Sequence, residues 1–303
     1  MYLKHIRRQT PAPILALVKR TVRLLFRHVV QPMVAGDPGP LRRSADALGK
    51  RLVQGVRRQN TVIGGLAAAW LVPADPLDDL VILYAHGGGF AIGSCDSHAS
   101  ICSQIAAASR RRVLVYDYRL TPEHPYPAAV EDALAAYQAL LASGRSAATI
   151  VLAGDSAGGA LTLELLLAAR EQQLPLPRAA IANCPWVDYE SLCPSLAIPG
   201  DAFLTRELMA AFGAAAFPDA GLRRRSSLLK RDYGALPPIY LLIGGRDPLH
   251  DEDLLLAERL QLAGNAGRAE VWEDMPHVWQ GLVPFLAEAT LVTESMAEFI
   301  DHC

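Results

Sequence analysis

The chain has 303 residues, 51% of them hydrophobic and 20% charged, with a formal net charge of −2. That composition supports a large core and excludes wholesale disorder. A near-neutral balance also gives no case for nucleic acid as a partner.

Charge is unevenly spread. Residues 1–60 hold thirteen Lys or Arg against Asp37 and Asp46, so the acidic excess lies in the rest of the chain. Within the basic part, PILALVKRTVRLLFRHVV predicts an amphipathic helix with Arg20, Arg23 and Arg27 on one face. Ile14, Leu17, Val18 and Leu25 form the other. Lys19 and Arg20 break the apolar part too early for a signal peptide. No apolar run reaches the roughly 18 residues of a membrane span. A helix that covers a core is therefore preferred here to a peripheral membrane contact.

From about residue 61 apolar strands alternate with helices. TVIGGLAAAWLV and LVILYAHG read as strands, HASICSQIAAASR as a helix and RVLVYDY as a short strand. PAAVEDALAAYQALLAS is the next helix, TIVLAGDS a strand, and SAGGALTLELLLAAREQQ a long helix. RAAIANCPW, PPIYLLIGG and RAEVWEDM complete the strands, with DEDLLLAERLQLAG a helix between the last two. This rhythm predicts a single α/β domain over 1–303, with a mostly parallel central sheet and helices on both faces. Residues 1–55 precede the sheet. Residues 187–230 interrupt it with the extra helix LTRELMAAFGAAAF, and both segments are expected to form a helical cap. Cys95, Cys102, Cys184, Cys193 and Cys303 show neither CxxC spacing nor a histidine pairing suited to zinc. They are expected to be free thiols of a reducing compartment, the cytoplasm.

Two glycine-rich stretches carry the chemistry. Gly154-Asp155-Ser156-Ala157-Gly158 stands between TIVLA and an apolar helix. A sharp strand-to-helix turn leaves no room for Cβ atoms beside the serine, and the helix that follows directs its amides at developing negative charge. His86-Gly87-Gly88-Gly89-Phe90 follows a buried strand, where three glycines lose backbone entropy unless bare backbone is needed. The amides of Gly88 and Gly89 are the expected oxyanion donors together with Ala157, while Gly87 supports the bend. His86 is read as tying the loop and Asp155 as bracing the elbow.

A serine nucleophile needs a base, and the base needs an orienting acid. Only His250, His277 and His302 follow Ser156. His277, between the last strand and the last helix, is the expected base. Asp247 follows PPIYLLIGG at a strand's C-terminal end and is the preferred acid, with Asp274 the rival. Phe90, Phe203, Leu204, Met209 and Phe212 are the candidates for an apolar substrate pocket, core packing being the equal alternative. The order Ser, Asp, His predicts acyl transfer without a metal or organic cofactor.

HGGGF at 86–90 and GDSAGG at 154–159 resemble the two signatures of the hormone-sensitive-lipase-like esterases, a branch of the α/β-hydrolases. YRLTPEHPYPAA at 118–129, CPWVDY at 184–189, GGRDPLHDE at 244–252 and MPHVWQG at 275–281 are similar to its other landmarks. Ala160 stands where the family often has asparagine. The resemblance implies an α/β-hydrolase fold with the triad Ser156, Asp247 and His277. It implies a serine carboxylesterase for short- to medium-chain acyl esters, working through an acyl-enzyme, and frequent homodimers. Amide or lactone hydrolysis on the same triad is the alternative. A non-enzymatic small-ligand receptor of the same fold is a further one, disfavoured because all three triad members are present.

Overall fold

Alternate residues of each inner strand belong to opposite faces of one sheet, and both faces are dry. In β4 (Val81–Ala85) Val81, Leu83 and Ala85 enter one core while Ile82 and Tyr84 enter the other. In β8 (Ile239–Gly244) Ile239, Leu241 and Ile243 alternate in the same way with Tyr240 and Leu242. This two-sided burial is why the strands read as unbroken apolar runs.

The computed structural model describes residues 1–25, 37–77, 80–197, 204–282 and 284–303. Its other strands are β1 (Tyr2–Ile6), β2 (Val56–Ile63), β3 (Leu66–Pro73), β5 (Arg112–Tyr116), β6 (Ile150–Asp155), β7 (Ala179–Asn183) and β9 (Arg268–Trp272). Among the described residues they form one nine-stranded sheet, ordered β1-β9-β8-β7-β6-β4-β5-β3-β2. Every pair from β1 to β5 is parallel, and β3 and β2 close the far edge antiparallel.

Helices α1 (Ala12–Leu25), α2 (Gly39–Gly49), α3 (Ala99–Ser109), α4 (Ala128–Ala142) and α5 (Ala157–Glu171) come first in the chain. They are followed by α6 (Arg206–Ala216), α7 (Ala220–Ser226), α8 (His250–Leu262) and α9 (Ala287–His302). Leu161, Leu165, Leu256 and Leu260 place α5 and α8 on one core with Ala133 and Ala136 of α4. Ile105 of α3 and Val292, Met296 and Ile300 of α9 fill the other. The expected α/β architecture with helices on both faces is present.

Three details differ from the sequence expectation. TVIGGLAAAWLV is not one strand: Ile63 pairs with Leu66 across a turn at Gly64 and Gly65, making a hairpin. Tyr2–Ile6 is a parallel edge strand on β9, so the start of the 1–55 segment belongs to the sheet and not to a cap. Helix α1 forms with Leu15 and Lys19 buried one turn apart, and Val18, expected on the inner face, is half-buried against the same core. Ile14 and Leu17, expected to face inward, are 47% and 66% exposed. Arg27 and the side chains of Arg23 and Leu25 lie outside the described residues. No helix among them is long and apolar enough to cross a membrane.

Two turns past the elbow, α5 buries Glu164, which accepts from the Tyr189 hydroxyl at 3.3 Å and has Arg231 at 3.8 Å. Burial pushes its carboxyl up to about 7, a rise that Arg231 only partly offsets. A raised carboxyl keeps its proton in the fold while the unfolded chain loses it from about pH 4.5 upward. Stability from this group therefore falls between about pH 4.5 and 7 and then levels. Glu164→Gln is expected to flatten that part of the urea-midpoint profile; an unchanged slope would rule the origin out.

Candidate active site

Strand β6 ends at Asp155 and α5 begins at Ala157, so Ser156 has a single residue in which to turn. Its φ of 55° and ψ of −121° lie in a strained region for a side-chain-bearing residue. Close approach explains both flanking glycines: a Cβ on Gly154 would lie 2.3 Å from the Gly158 oxygen, and one on Gly158 2.1 Å from the Ala85 oxygen. The bend is held by the Ser156 amide donating to Asn183 and by the Trp186 amide donating to the Ser156 carbonyl, at 2.9 and 3.1 Å.

The loop after β9 brings His277 back over this turn. His277 Nε2 lies 2.9 Å from Ser156 Oγ, and His277 Nδ1 lies 2.8 Å from Asp247 Oδ2. The other oxygen of Asp247 accepts the Leu249 amide at 2.9 Å, which fixes the carboxylate's rotation. His277 and Asp247 are both buried. Asp274, the rival acid, instead pairs on the surface with Arg8 at 3.1 Å and Arg246 at 3.5 Å. His250 Nδ1 donates to the Gly244 carbonyl at 3.0 Å and caps the β8 end rather than reaching the serine.

The HGGGF loop runs alongside. The Gly87 amide is already committed, donating to Asp155 Oδ1 at 3.1 Å. Among the described residues nothing accepts from the amides of Gly88, Gly89 or Ala157, and Gly88 and Gly89 line the cavity at Ser156. Asp155 braces the elbow as expected: it also accepts from the Tyr84 hydroxyl at 2.7 Å, and His98 Nε2 lies 3.5 Å away. Burial by itself would raise this carboxyl, yet His98 and the Tyr84 hydroxyl hold it below the usual carboxylate range. His86 stacks on Tyr118 at 4.1 Å and contacts the Gly87 carbonyl at 3.0 Å. Burial, and next the neighbouring His98, lower its ring to about 4, so it stays neutral. The roles of Tyr84 and His98 were not legible, because neither stands in a motif.

A cavity of about 250 Å³ opens at Ser156 and His277, lined by Ile92, Trp186, Leu204, Met209, Phe212 and Leu282, among others. Leu204, Met209 and Phe212 are thus where the sequence reading expected them. Phe90 is not. Its backbone takes φ 60°, and the ring is buried near Trp186 at 5.9 Å, in the core rather than at the cavity. Phe203 lies outside the described residues. The missed residues Ile92, Trp186 and Val278 stand beside or within HGGGF, CPWVDY and MPHVWQG, and that adjacency was the available signal.

Two side-chain groups invite a metal reading. Cys184, Asp247 and His277 lie within 4.8 Å of one another. The ring and carboxylate of that group are already hydrogen-bonded to each other, and burial pushes the Cys184 thiol up, which keeps it protonated. In the group of Asp188, Cys193 and Glu252 the carboxylates accept backbone amides: Glu190 and Leu192 donate to Asp188, and Val187 donates to Glu252. Neither donor set suits a metal as it stands.

The α/β-hydrolase fold family matches residues 82–281. An acetyl-hydrolase of Streptomyces hygroscopicus is 36% identical over 252 residues, 78% of this chain and 80% of that protein. Esterase LipI of Mycobacterium tuberculosis is 34% identical over 228 residues, 71% of each. Among solved structures, an esterase of the bacterial hormone-sensitive lipase family superposes with a TM-score of 0.86 at 35% identity. EstE5 soaked with p-nitrophenyl butyrate superposes at 0.88 and 30% identity. Each superposition covers 96% of this chain and 98% of the other.

Proposed function

The chain belongs to the bacterial hormone-sensitive-lipase family of α/β-hydrolase-fold esterases, and from that membership we propose a serine carboxylesterase for short- to medium-chain acyl esters. The observation that carries the reading is the unbroken line from Ser156 through His277 to Asp247, opening on an apolar cavity.

In this reading Ser156 Oγ attacks the ester carbonyl while His277 Nε2 takes its proton. Asp247, held by the Leu249 amide, keeps Nδ1 protonated and steadies the imidazolium. The tetrahedral oxyanion is received by the amides of Gly88, Gly89 and Ala157, with the positive end of α5 behind them. Collapse breaks the bond to the alkoxy oxygen, which leaves as alcohol with the proton from His277. Water, deprotonated by His277, then attacks the acyl-Ser156, and the acid departs as Ser156 recovers its proton. No step calls for a metal or an organic cofactor.

Of the expected cap segments 1–55 and 187–230, residues 39–49 and 204–230 supply the walls in this reading. Leu204, Met209 and Phe212 wall the acyl side, and a second space of about 260 Å³ on the other side of Gly88 is walled by Ala45, Leu48 and Gly49. A fluorophosphonate probe tests the assignment: the label is expected on the peptide bearing Ser156, and a label elsewhere contradicts it.

Phe212 sets the acyl limit. Its ring sits against the oxyanion loop, where a Cβ on Gly89 would come within 2.5 Å of it. Phe212→Ala is expected to move the preference from acetate or butyrate towards octanoate p-nitrophenyl esters by about tenfold in kcat/KM ratio. An unchanged chain-length profile would remove Phe212 from the acyl wall.

A further inference from the structure

Helix α2 carries Arg42, Asp46 and Gly49 on one face, at spacings of four and three residues. That face lies on the segment that follows the oxyanion glycines. Arg42 Nε donates to the Ala91 carbonyl at 2.9 Å and Nη2 to the Thr121 carbonyl at 2.8 Å. Its fork also grips both oxygens of Glu123, at 2.8 and 2.9 Å. One turn on, Asp46 accepts from the Ser94 hydroxyl. At the helix end a Cβ on Gly49 would meet the Ser97 carbonyl at 1.9 Å, so helix and loop touch backbone to backbone.

The two carbonyls that Arg42 holds are not arbitrary. Ala91 and Ile92 donate their amides to the Gly88 carbonyl, each at 3.0 Å, and Thr121 donates to the Phe90 carbonyl at 2.8 Å. Arg42 thereby bonds to both ends of the lattice that fixes the turn from Gly88 to Ile92. Bonding to Arg42 also holds Glu123 down to about 2, so the pair stays charged through the neutral range. A guanidinium is suited to this: one planar fork reaches four oxygens on three residues, where an ammonium acts as a point charge.

We propose that α2 is a splint for the oxyanion segment and that Arg42 is its positioning residue, aiming the amides of Gly88 and Gly89 without touching substrate. The inference rests on the esterase reading above. Donors preset toward developing charge act on the transition state and not on the bound ester. Loosening them lowers kcat and leaves KM in place.

The test compares Arg42→Ala and Arg42→Lys with the wild type on p-nitrophenyl acetate and butyrate, and measures inhibition by an alkyl trifluoromethyl ketone. That ketone adds the serine and places its oxyanion among the same amides. In both variants kcat is expected to fall by about tenfold or more for both esters, with KM within about twofold. The ketone is expected to bind more weakly by the same factor as the loss in kcat/KM. Lysine keeps a charge near Glu123, so it serves as the variant that folds if alanine does not. A loss confined to KM, a kcat loss without weaker ketone binding, or wild-type kinetics in Arg42→Lys each overturns the splint. A folded wild type that hydrolyses no ester sinks the esterase reading itself. Wild-type turnover with unaffected Arg42 variants sinks the splint alone.

Discussion

His277→Ala is expected to lower kcat on p-nitrophenyl butyrate by about 10⁵- to 10⁶-fold while KM changes little. The size follows from the geometry: the ring is the only titratable group within hydrogen-bonding distance of Ser156 Oγ among the described residues, at 2.9 Å. Without it the hydroxyl keeps its proton and the leaving alcohol receives none. Because serine and histidine act as one unit, the double variant Ser156→Ala/His277→Ala is expected to be no slower than either single one. Multiplying losses in that cycle would mean that the two side chains act in separate steps, contrary to the line from Ser156 to Asp247.

Gly88→Ala is the second large effect, and it has two sources. The backbone φ of 119° at Gly88 is strained for any L side chain, and the new methyl would meet the Ile92 carbonyl at 2.2 Å. The loop has to move, and the amide at 88 moves with it. Loss of one oxyanion donor lowers kcat by about 10²- to 10³-fold. The displaced turn also releases the Ala91 and Ile92 amides from the Gly88 carbonyl. The variant is therefore expected to combine that kinetic loss with a lower thermal midpoint. Wild-type kcat in a folded Gly88→Ala protein would remove this loop from the mechanism.

Reactive groups were more legible in the sequence than their surroundings, for a physical reason. Gly154 and Gly158 can be nothing larger because Gly158 and Ala85 approach within a methyl's reach, so the chemistry leaves a local signature. Asp247 and His277 stand in the loops that follow strands β8 and β9, so the alternation of strands and helices located them as well. Phe90 failed because its direction depends on a positive φ, a backbone property that composition does not encode. Strand β1 was missed because five residues with an exposed face, Tyr2 to Ile6, become a strand only through pairing with β9. The inward face of α1 was only partly right: Val18 packs against the core as expected, but Leu15 takes the buried place and Ile14 and Leu17 are exposed. Arg42 carries no motif at all; its partners are 49 to 81 residues away in the chain and meet it only in the fold.

Hydrolysis of p-nitrophenyl butyrate by the wild type beside Ser156→Ala, both folded and without added metal, tests the central claim most directly. The account predicts steady turnover by the wild type and a loss of about 10⁴-fold or more in the variant. A silent wild type across acetate to octanoate esters, or a Ser156→Ala protein that still turns over, would contradict it.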